Sequence, residues 1–177
     1  IFEATHELEN EWDNYVNSHA LATPYHLFAW QSAINAAYQF PSISWVAKDA
    51  EQNIVGLLPS AIIGTPLIGK KLSALPYCDA GGVLADSPDI AQMLLEHALA
   101  YGKNSGIAKF EHRTIVLPSS ETSEGDKEGT MANTAKVRMV MPLPENAELL
   151  LASFKSKLRS QIRKAEKNGL TSSTGND

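Results

Sequence analysis

The chain has 177 residues, of which 44% are hydrophobic and 20% are charged, and its formal net charge at pH 7 is −5. These values are typical of one globular domain with a substantial core, and the acidic balance argues against a general nucleic-acid binder. No apolar run approaches the roughly 18 residues that a membrane span requires, and the lone cysteine, Cys78, excludes an internal disulfide and fits a reducing cytoplasm best.

Two amphipathic helices are predicted near the start, over residues 7–19 and about 27–37, from apolar side chains at helical spacing. Between them, Tyr25 and His26 lie just before a helix start, where hydrogen-bond donors can face a cleft. The alternative is that Tyr25 packs in the core and His26 is a surface histidine. For His26 we favour the surface position.

Strand patterns follow from residue 43. The segments 43–49 and 54–63 are separated by a turn at 50–53, and the second is apolar almost throughout, which predicts a hairpin with one strand deep in a sheet. Pro59 cannot donate to a ladder, so it indicates a bulge or an edge position. After a second turn, Lys70 and Lys71 are interpreted as surface charges that protect a sheet edge.

The segment 76–83, with the sequence PYCDAGGV, combines an acid with two glycines. Gly81 and Gly82 allow unusual backbone dihedrals and a close approach of a ligand, and Asp79 lies two residues earlier. A turn that leads out of a sheet needs glycines as well, so a binding site and a structural turn both remain open. A cysteine nucleophile at Cys78 is disfavoured.

Ser87, Pro88 and Asp89 are typical of a helix start, and the predicted helix runs to about residue 104. In the strand that follows, Glu111 and Arg113 lie two residues apart and therefore on one face. They are predicted to form a charged pair that lines a groove, although an exposed sheet face would produce the same pattern. Residues 118–135 are polar and acidic, which predicts a mobile loop, and residues 136–143 alternate as a strand.

The last helix has a charge opposite to that of the chain. Residues 155–170 contain six basic residues and one acid, a net charge of +5. Arg159 and Arg163 lie one turn apart beside an apolar stripe, and a glycine at 169 is predicted to end the helix. A break around residues 153–156 would leave two shorter helices. We predict that the two guanidinium groups bind phosphate, whereas the alternative is a solvated basic face.

The run KLRSQIRKAEKNGL, which begins at Lys157, resembles the signature that closes the first domain of FemAB-type acyltransferases. These are the peptidoglycan-bridge aminoacyltransferases and their relatives in exosortase/PEP-CTERM gene neighbourhoods. Residues 56–86 and the FEHR segment at 110–113 are similar to the family's hairpin, glycine pair and next strand. The resemblance covers nearly the whole chain.

The resemblance implies a GNAT-like domain, in agreement with the α+β sandwich and the mixed or mostly antiparallel sheet that the order of elements predicts. It also implies that residues 1–177 are one such domain, the N-terminal half of a two-domain protein whose second, GNAT-like half is missing. No glycine-rich loop of the kind that holds coenzyme A in ordinary GNAT enzymes is found in the sequence. There is no P-loop, no HExxH motif and no nucleophile elbow either.

The function that the resemblance implies is transfer of an acyl or aminoacyl group to an amine of a peptidoglycan-type precursor. Arg159 and Arg163 would hold phosphates of a nucleotide- or lipid-linked sugar or of an RNA donor. Asp79 and Glu111 would orient the acceptor, Gly81 and Gly82 would admit its peptide, and Tyr25 and Arg113 would border the cleft; the catalytic base is unidentified. The donor is expected to be aminoacyl-tRNA or acyl-CoA, with no tightly bound cofactor and no metal.

Two alternatives remain open. One is an N-acetyltransferase that acts on an exopolysaccharide or a lipid-linked sugar, and the other is a non-catalytic binding module with the same fold. The protein is expected in the cytoplasm. If its substrate is lipid-linked, the protein is expected to act at the inner face of the membrane.

Overall fold

A computed structural model describes residues 1–65, 69–78, 81–107, 109–113 and 139–173. The chain divides into two compact units, residues 1–138 and 139–177. Asp79, the loop predicted at 118–135 and the first three residues of the strand predicted at 136–143 lie outside the described residues.

The described residues of the first unit form three helices and seven strands. The helices are α1 (Glu9–Ser18), α2 (Phe28–Tyr38) and α3 (Pro88–Asn104), with short 3-10 turns at His6–Leu8 and Pro24–His26. The strands are β1 (Phe2–Glu3), β2 (Trp45–Lys48), β3 (Ile54–Leu58), β4 (Ser60–Thr65), β5 (Gly69–Ala74), β6 (Leu84–Ala85) and β7 (Lys109–Glu111).

The strands form two sheets. The first has the order β1-β2-β3-β6 with antiparallel pairing throughout. The second has the order β4-β5-β7, in which β4 and β5 are antiparallel and β5 and β7 are parallel. Pro59, expected at a bulge or an edge, lies between β3 and β4, where the chain passes from one sheet to the other. A residue without an N–H group suits this point, where its carbonyl accepts the N–H of Leu75 at 3.2 Å and the chain leaves the ladder of β3.

The core covers the first sheet on both faces. Trp45 and Ala47 of β2 pack with Leu94 and Ala98 of α3. On the opposite face, Val46 packs in a second cluster with α1. Alternate residues of one strand therefore meet different helices, and β2 is buried on both sides.

Helix α3 begins as the sequence predicts. The Ser87 hydroxyl accepts a hydrogen bond from the N–H of Ile90, and Pro88 occupies the first turn. The helix ends at Asn104, and Gly106 follows with a φ of +69°, which a glycine adopts at low cost.

The second unit contains α4 (Ala147–Ser153) and α5 (Ser156–Lys167), so the predicted break near residues 153–156 is confirmed. Gly169 has a φ of +74°, and the N–H groups of Gly169 and Leu170 donate to the carbonyls of Glu166 and Ala165. This is a Schellman motif, so the predicted glycine end of the helix is also confirmed. Residues 139–143 have no strand pairing within the described residues, so the strand prediction is wrong there.

The predicted α+β class with a mixed, mostly antiparallel arrangement of strands is confirmed. No helix within the described ranges is long and apolar enough to cross a membrane.

Candidate functional site

A three-residue ion cluster lies on one face of the second sheet. Glu111 of β7 accepts a hydrogen bond from the Lys71 ammonium at 2.6 Å, and its other oxygen accepts from Nε and Nη2 of Arg113 at 2.8 and 2.7 Å. The parallel register places Ser73 opposite Glu111 and Lys71 opposite Lys109. The predicted pairing of Glu111 with Arg113 is therefore present, and Lys71 completes it.

These contacts fix the charge of the cluster. The hydrogen bond from Lys71, followed by that from Arg113, holds the pKa of Glu111 below its usual value, because both cations favour the carboxylate form. At neutral pH the cluster thus has two positive groups and one negative group. A net positive charge beside a groove favours an anionic ligand.

The cluster borders an open cleft of about 180 Å³. Its lining residues come from β4, β5, the turn after β5 and the end of β7: Ile63, Lys71, Ser73, Pro76, Tyr77 and Arg113. Lys71 and Ser73 face it because they are two residues apart on β5, whereas Leu72 between them is buried in the core. The cleft thus combines two cations, a hydroxyl and an aromatic ring.

The turn after β5 holds an unusual backbone conformation. Leu75 and Tyr77 have φ values of +44° and +61°, which residues other than glycine rarely adopt. The Cys78 thiol is buried and donates to the carbonyl of Leu75 at 2.7 Å, and Arg113 Nη1 donates to the carbonyl of Cys78 at 2.9 Å. These bonds hold the turn and tie it to the ion cluster.

Three aromatic rings stack beside the cleft. Tyr77 lies 4.6 Å from the ring centre of Tyr38 and 6.3 Å from that of Phe40, in nearly parallel orientations. Tyr77 is 55% exposed and Tyr38 is 51% exposed. An exposed aromatic face next to cations is a surface on which a planar or ring-shaped part of a ligand can rest.

The two glycines of the 76–83 segment are required by the protein itself. A Cβ atom on Gly81 would lie 2.2 Å from Cδ1 of Leu75, and one on Gly82 would lie 2.5 Å from Nε2 of His112. Gly82 also has a φ of +136°. The close approach that these glycines allow is thus to Leu75 and His112, and their contact with an acceptor peptide stays a prediction.

Two histidines bind the backbone of this glycine segment. Nε2 of His112 accepts a hydrogen bond from the N–H of Val83 at 3.1 Å, and His26 forms a hydrogen bond with the backbone of Gly82. Burial lowers the pKa of His112 to about 4. Burial also lowers the pKa of His26. Both rings are therefore neutral at pH 7, so each has one acceptor nitrogen, which binds the N–H of Val83 in His112 and the N–H of Thr23 in His26.

The surface position favoured for His26 is wrong, since the side chain is buried. Its Nδ1 accepts the N–H of Thr23 at 3.0 Å, and its carbonyl accepts the Trp12 indole N–H at 2.7 Å. A short 3-10 turn brings these groups together, and the sequence pattern does not indicate it. Tyr25 is half-buried and packs edge-on against Trp30 with 4.9 Å between ring centres, and it is not among the residues that line the cleft.

The guanidinium group of Arg159, on α5 of the second unit, binds the end of the neighbouring helix α4. Its Nη1 donates to the carbonyls of Ala152 at 3.1 Å and Phe154 at 2.9 Å, at the end of α4. Arg163 is exposed. The apolar stripe is only partly covered, because Leu158 is 42% exposed while Arg159 is half-buried beside it. Phosphate binding by either arginine stays a prediction.

Replacing Arg159 by alanine is expected to loosen the α4–α5 junction. Two carbonyls would lose a charged donor, a change of about 1–2 kcal/mol, so amide exchange at Phe154 and Arg159 should accelerate about tenfold in native-state hydrogen exchange. Arg163→Ala, in the same helix but exposed, is the matched control and should leave these rates unchanged. Equal rates in the two variants would contradict the assigned role.

Five of the six residues that line the cleft were not predicted as site residues, and three of them carry polar groups: Lys71, Ser73 and Tyr77. Lys71 does not protect a sheet edge, since β5 lies between β4 and β7 and the ammonium pairs with a carboxylate 40 positions away. The sequence shows that Lys71 and Ser73 share one face of a strand, because they are two residues apart. It does not show which strand pairs with them. Within the described ranges, no group of three or more His, Cys, Asp or Glu side chains could hold a metal ion.

No family model matches this sequence, and no curated protein matches it. Solved structures do match. A mutant of the BH1408 protein from Bacillus halodurans is 16% identical with a TM-score of 0.50, covering 81% of this chain and 98% of that one. A probable acetyltransferase is 12% identical with a TM-score of 0.49, covering 82% and 98%. Ribosomal-protein-alanine N-acetyltransferase from Brucella melitensis biovar Abortus 2308 is 12% identical with a TM-score of 0.47, covering 81% and 100%. At such identities the likeness concerns the fold alone, and the BH1408 comparison supports it.

Proposed function

We propose that this chain is a GNAT-like acyltransferase domain of the FemAB type, which joins an acyl or aminoacyl group to an amine of a peptidoglycan-type cell-envelope precursor. The observation that supports the proposal is the cleft beside Glu111 and Arg113. The sequence resemblance implies a substrate cleft along this strand, and the structure has a cationic cleft there. Such a cleft suits a precursor that carries phosphate or carboxylate groups.

The reaction would be attack of a neutral amine on an activated ester or thioester. The nitrogen forms the new bond to the acyl carbon, the leaving oxygen or sulfur departs, and the amine loses a proton. Positioning of the reactants and stabilisation of the charge that develops in the transition state account for most of the rate acceleration of such a step. Direct transfer requires no protein nucleophile, which agrees with a Cys78 thiol that is buried and donates to a backbone carbonyl.

Glu111 fits a positioning role better than that of a base. Its lowered pKa makes it a weak proton acceptor at neutral pH, and both of its oxygens already accept hydrogen bonds from cations. We assign it to holding Lys71 and Arg113 in the orientation that binds the acceptor. The role predicted for Asp79 in orienting the acceptor remains part of the proposal.

Either acyl-CoA or aminoacyl-tRNA would serve as the donor, used as a substrate and not as a resident cofactor. A nucleotide-linked precursor would place the reaction in the cytoplasm, and a lipid-linked precursor would place it at the inner face of the membrane. Arg163, exposed on α5 of the second unit, is proposed as a phosphate contact in its own right, and a second GNAT-like domain is proposed as a partner.

The test is calorimetric titration of the complete native protein with a UDP-linked muramyl peptide. Arg113→Ala is expected to weaken binding at least about tenfold, because it removes one of the two cleft cations and the bond to Cys78. Lys109→Ala, on the same strand but absent from the cleft lining, is the control. Wild-type protein that does not bind the precursor but binds coenzyme A would overturn the peptidoglycan assignment and favour the N-acetyltransferase. Binding without any transfer by the complete protein would favour the binding module.

Arg163→Ala is expected to weaken binding of the same precursor by about 1–3 kcal/mol, the usual scale for a charged contact to phosphate. Arg163 is a cleaner choice than Arg159, whose removal would also release the carbonyls at the end of α4. The dissociation constant of the variant is measured in the same titration. A value within error of wild type would contradict a phosphate contact at Arg163.

A further inference from the structure

A small cavity lies between α2, β4 and the turn after β5. Its volume is about 10 Å³. It is lined mainly by Trp30, Gln31 and Ile34 of α2, by Ser42 before β2, by Ser60 of β4, and by Leu75 and Pro76 of the turn. A cavity of about 10 Å³ has room for a single water molecule. The cavity is separate from the cleft, although Pro76 lines both.

Three buried polar atoms belong to residues that line this cavity. Among the described residues, Nε1 of Trp30, Nε2 of Gln31 and Oγ of Ser60 are the buried side-chain atoms that lack a hydrogen-bond partner in the protein. Gln31 is 8% exposed and Ser60 is 3% exposed. An unpaired buried donor costs roughly 1–3 kcal/mol, so three of them around one cavity require an explanation.

The neighbouring hydrogen bonds account for the other polar atoms. Oε1 of Gln31 accepts from the Ser44 hydroxyl at 2.5 Å, and the Ser44 oxygen accepts from the N–H of Ser60 at 3.0 Å. The amide group of Gln31 is thereby oriented with its NH₂ directed away from Ser44. The set that remains is two donors, Trp30 and Gln31, and one hydroxyl, Ser60, which can donate or accept.

We infer that this cavity is a binding site for one buried water molecule. The water would accept hydrogen bonds from Trp30 and Gln31 and donate one to the oxygen of Ser60, which makes the three bonds that a buried water typically forms. Among the described residues, no charged side chain lines the cavity, so an ion would lack compensation from them. The water connects α2 to β4 directly behind the turn that presents Tyr77 to the cleft.

A crystal structure of the native protein at about 1.5 Å resolution tests the inference. We expect a single density peak within about 3.2 Å of all three atoms. A cavity without density, or side chains rotated so that the three atoms bond to protein groups, would overturn it. This result is independent of the proposed function, since it requires no substrate and no activity.

A double-mutant cycle provides a second measurement. Trp30→Phe and Ser60→Ala are each expected to lower Tm by about 2–6 °C, and the double variant should lose at least about 2 °C less than the sum, because both act through the same water. Trp30→Phe combined with Ser87→Ala, a change at the distant cap of α3, is the control and should be additive. Additive behaviour of Trp30 with Ser60 would contradict a shared water.

Discussion

Gly82→Ala is expected to destabilise the protein by about 3–5 kcal/mol, since strain at a positive φ, overpacking and a weakened hydrogen bond add together. The new Cβ would lie 2.5 Å from Nε2 of His112 and 2.7 Å from the backbone oxygen of Arg113. Neither group is the flexible end of a side chain. The His112 ring would have to move, and it would then lose the N–H of Val83.

Urea denaturation of wild type and variant gives the free energy of unfolding that checks this expectation. Gly106→Ala is the matched control, because Gly106 also has a positive φ but a Cβ there meets no atom of the described residues within 4 Å. Gly106→Ala should lower the free energy of unfolding by only about 1 kcal/mol, because only the backbone conformation is strained. If both variants lose the same free energy, the contact between Gly82 and His112 does not determine the local structure.

The free energy of unfolding is expected to fall by about 3 kcal/mol between pH 6.5 and pH 4 through His112. The pKa of this histidine is lowered to about 4 in the folded protein from 6.5. In this range the unfolded chain binds a proton that the folded chain does not, so the stabilisation is complete above pH 6.5 and is lost as the pH decreases towards 4. The lowered pKa of His26 acts in the same direction.

Denaturation curves at about pH 7, 6, 5 and 4.5 measure this dependence. His112→Gln retains an oxygen that can accept the N–H of Val83 and removes the titration, so its stability should vary less with pH than that of wild type. Ser87→Ala, a change at the cap of α3 that removes no titratable group, should retain the full dependence. Identical pH profiles for wild type and His112→Gln would exclude His112 as the source.

Local patterns predicted the elements of this fold well. The ends of α3 and α5 are encoded by caps and glycines within a few residues, and the shared face of Glu111 and Arg113 follows from strand periodicity alone. The role of a residue such as Lys71 is harder to predict from the sequence, because it depends on which strand pairs with β5. The burial of His26 was missed for a related reason, since Gly82, which it binds, is far away in sequence.

The basic helix shows how a charge pattern can have two origins. Arg159 contributes to the +5 segment, yet its guanidinium group binds the carbonyls at the end of α4. Part of the charge bias is therefore structural, and sequence alone cannot separate this part from a ligand contact. Arg163 is left as the residue on which the phosphate prediction can be tested.

The parallel pairing of β5 with β7 has a consequence for how the protein folds. Hairpins such as β4–β5 close over a few residues, whereas the Lys71–Glu111 contact closes a loop of 40 residues that includes α3. Contacts of high sequence separation carry a larger loop-closure entropy and slow the search for the native state. The cleft is therefore expected to assemble late, after the local hairpin and helix have formed, and a nascent chain would acquire its binding surface only once β7 has left the ribosome.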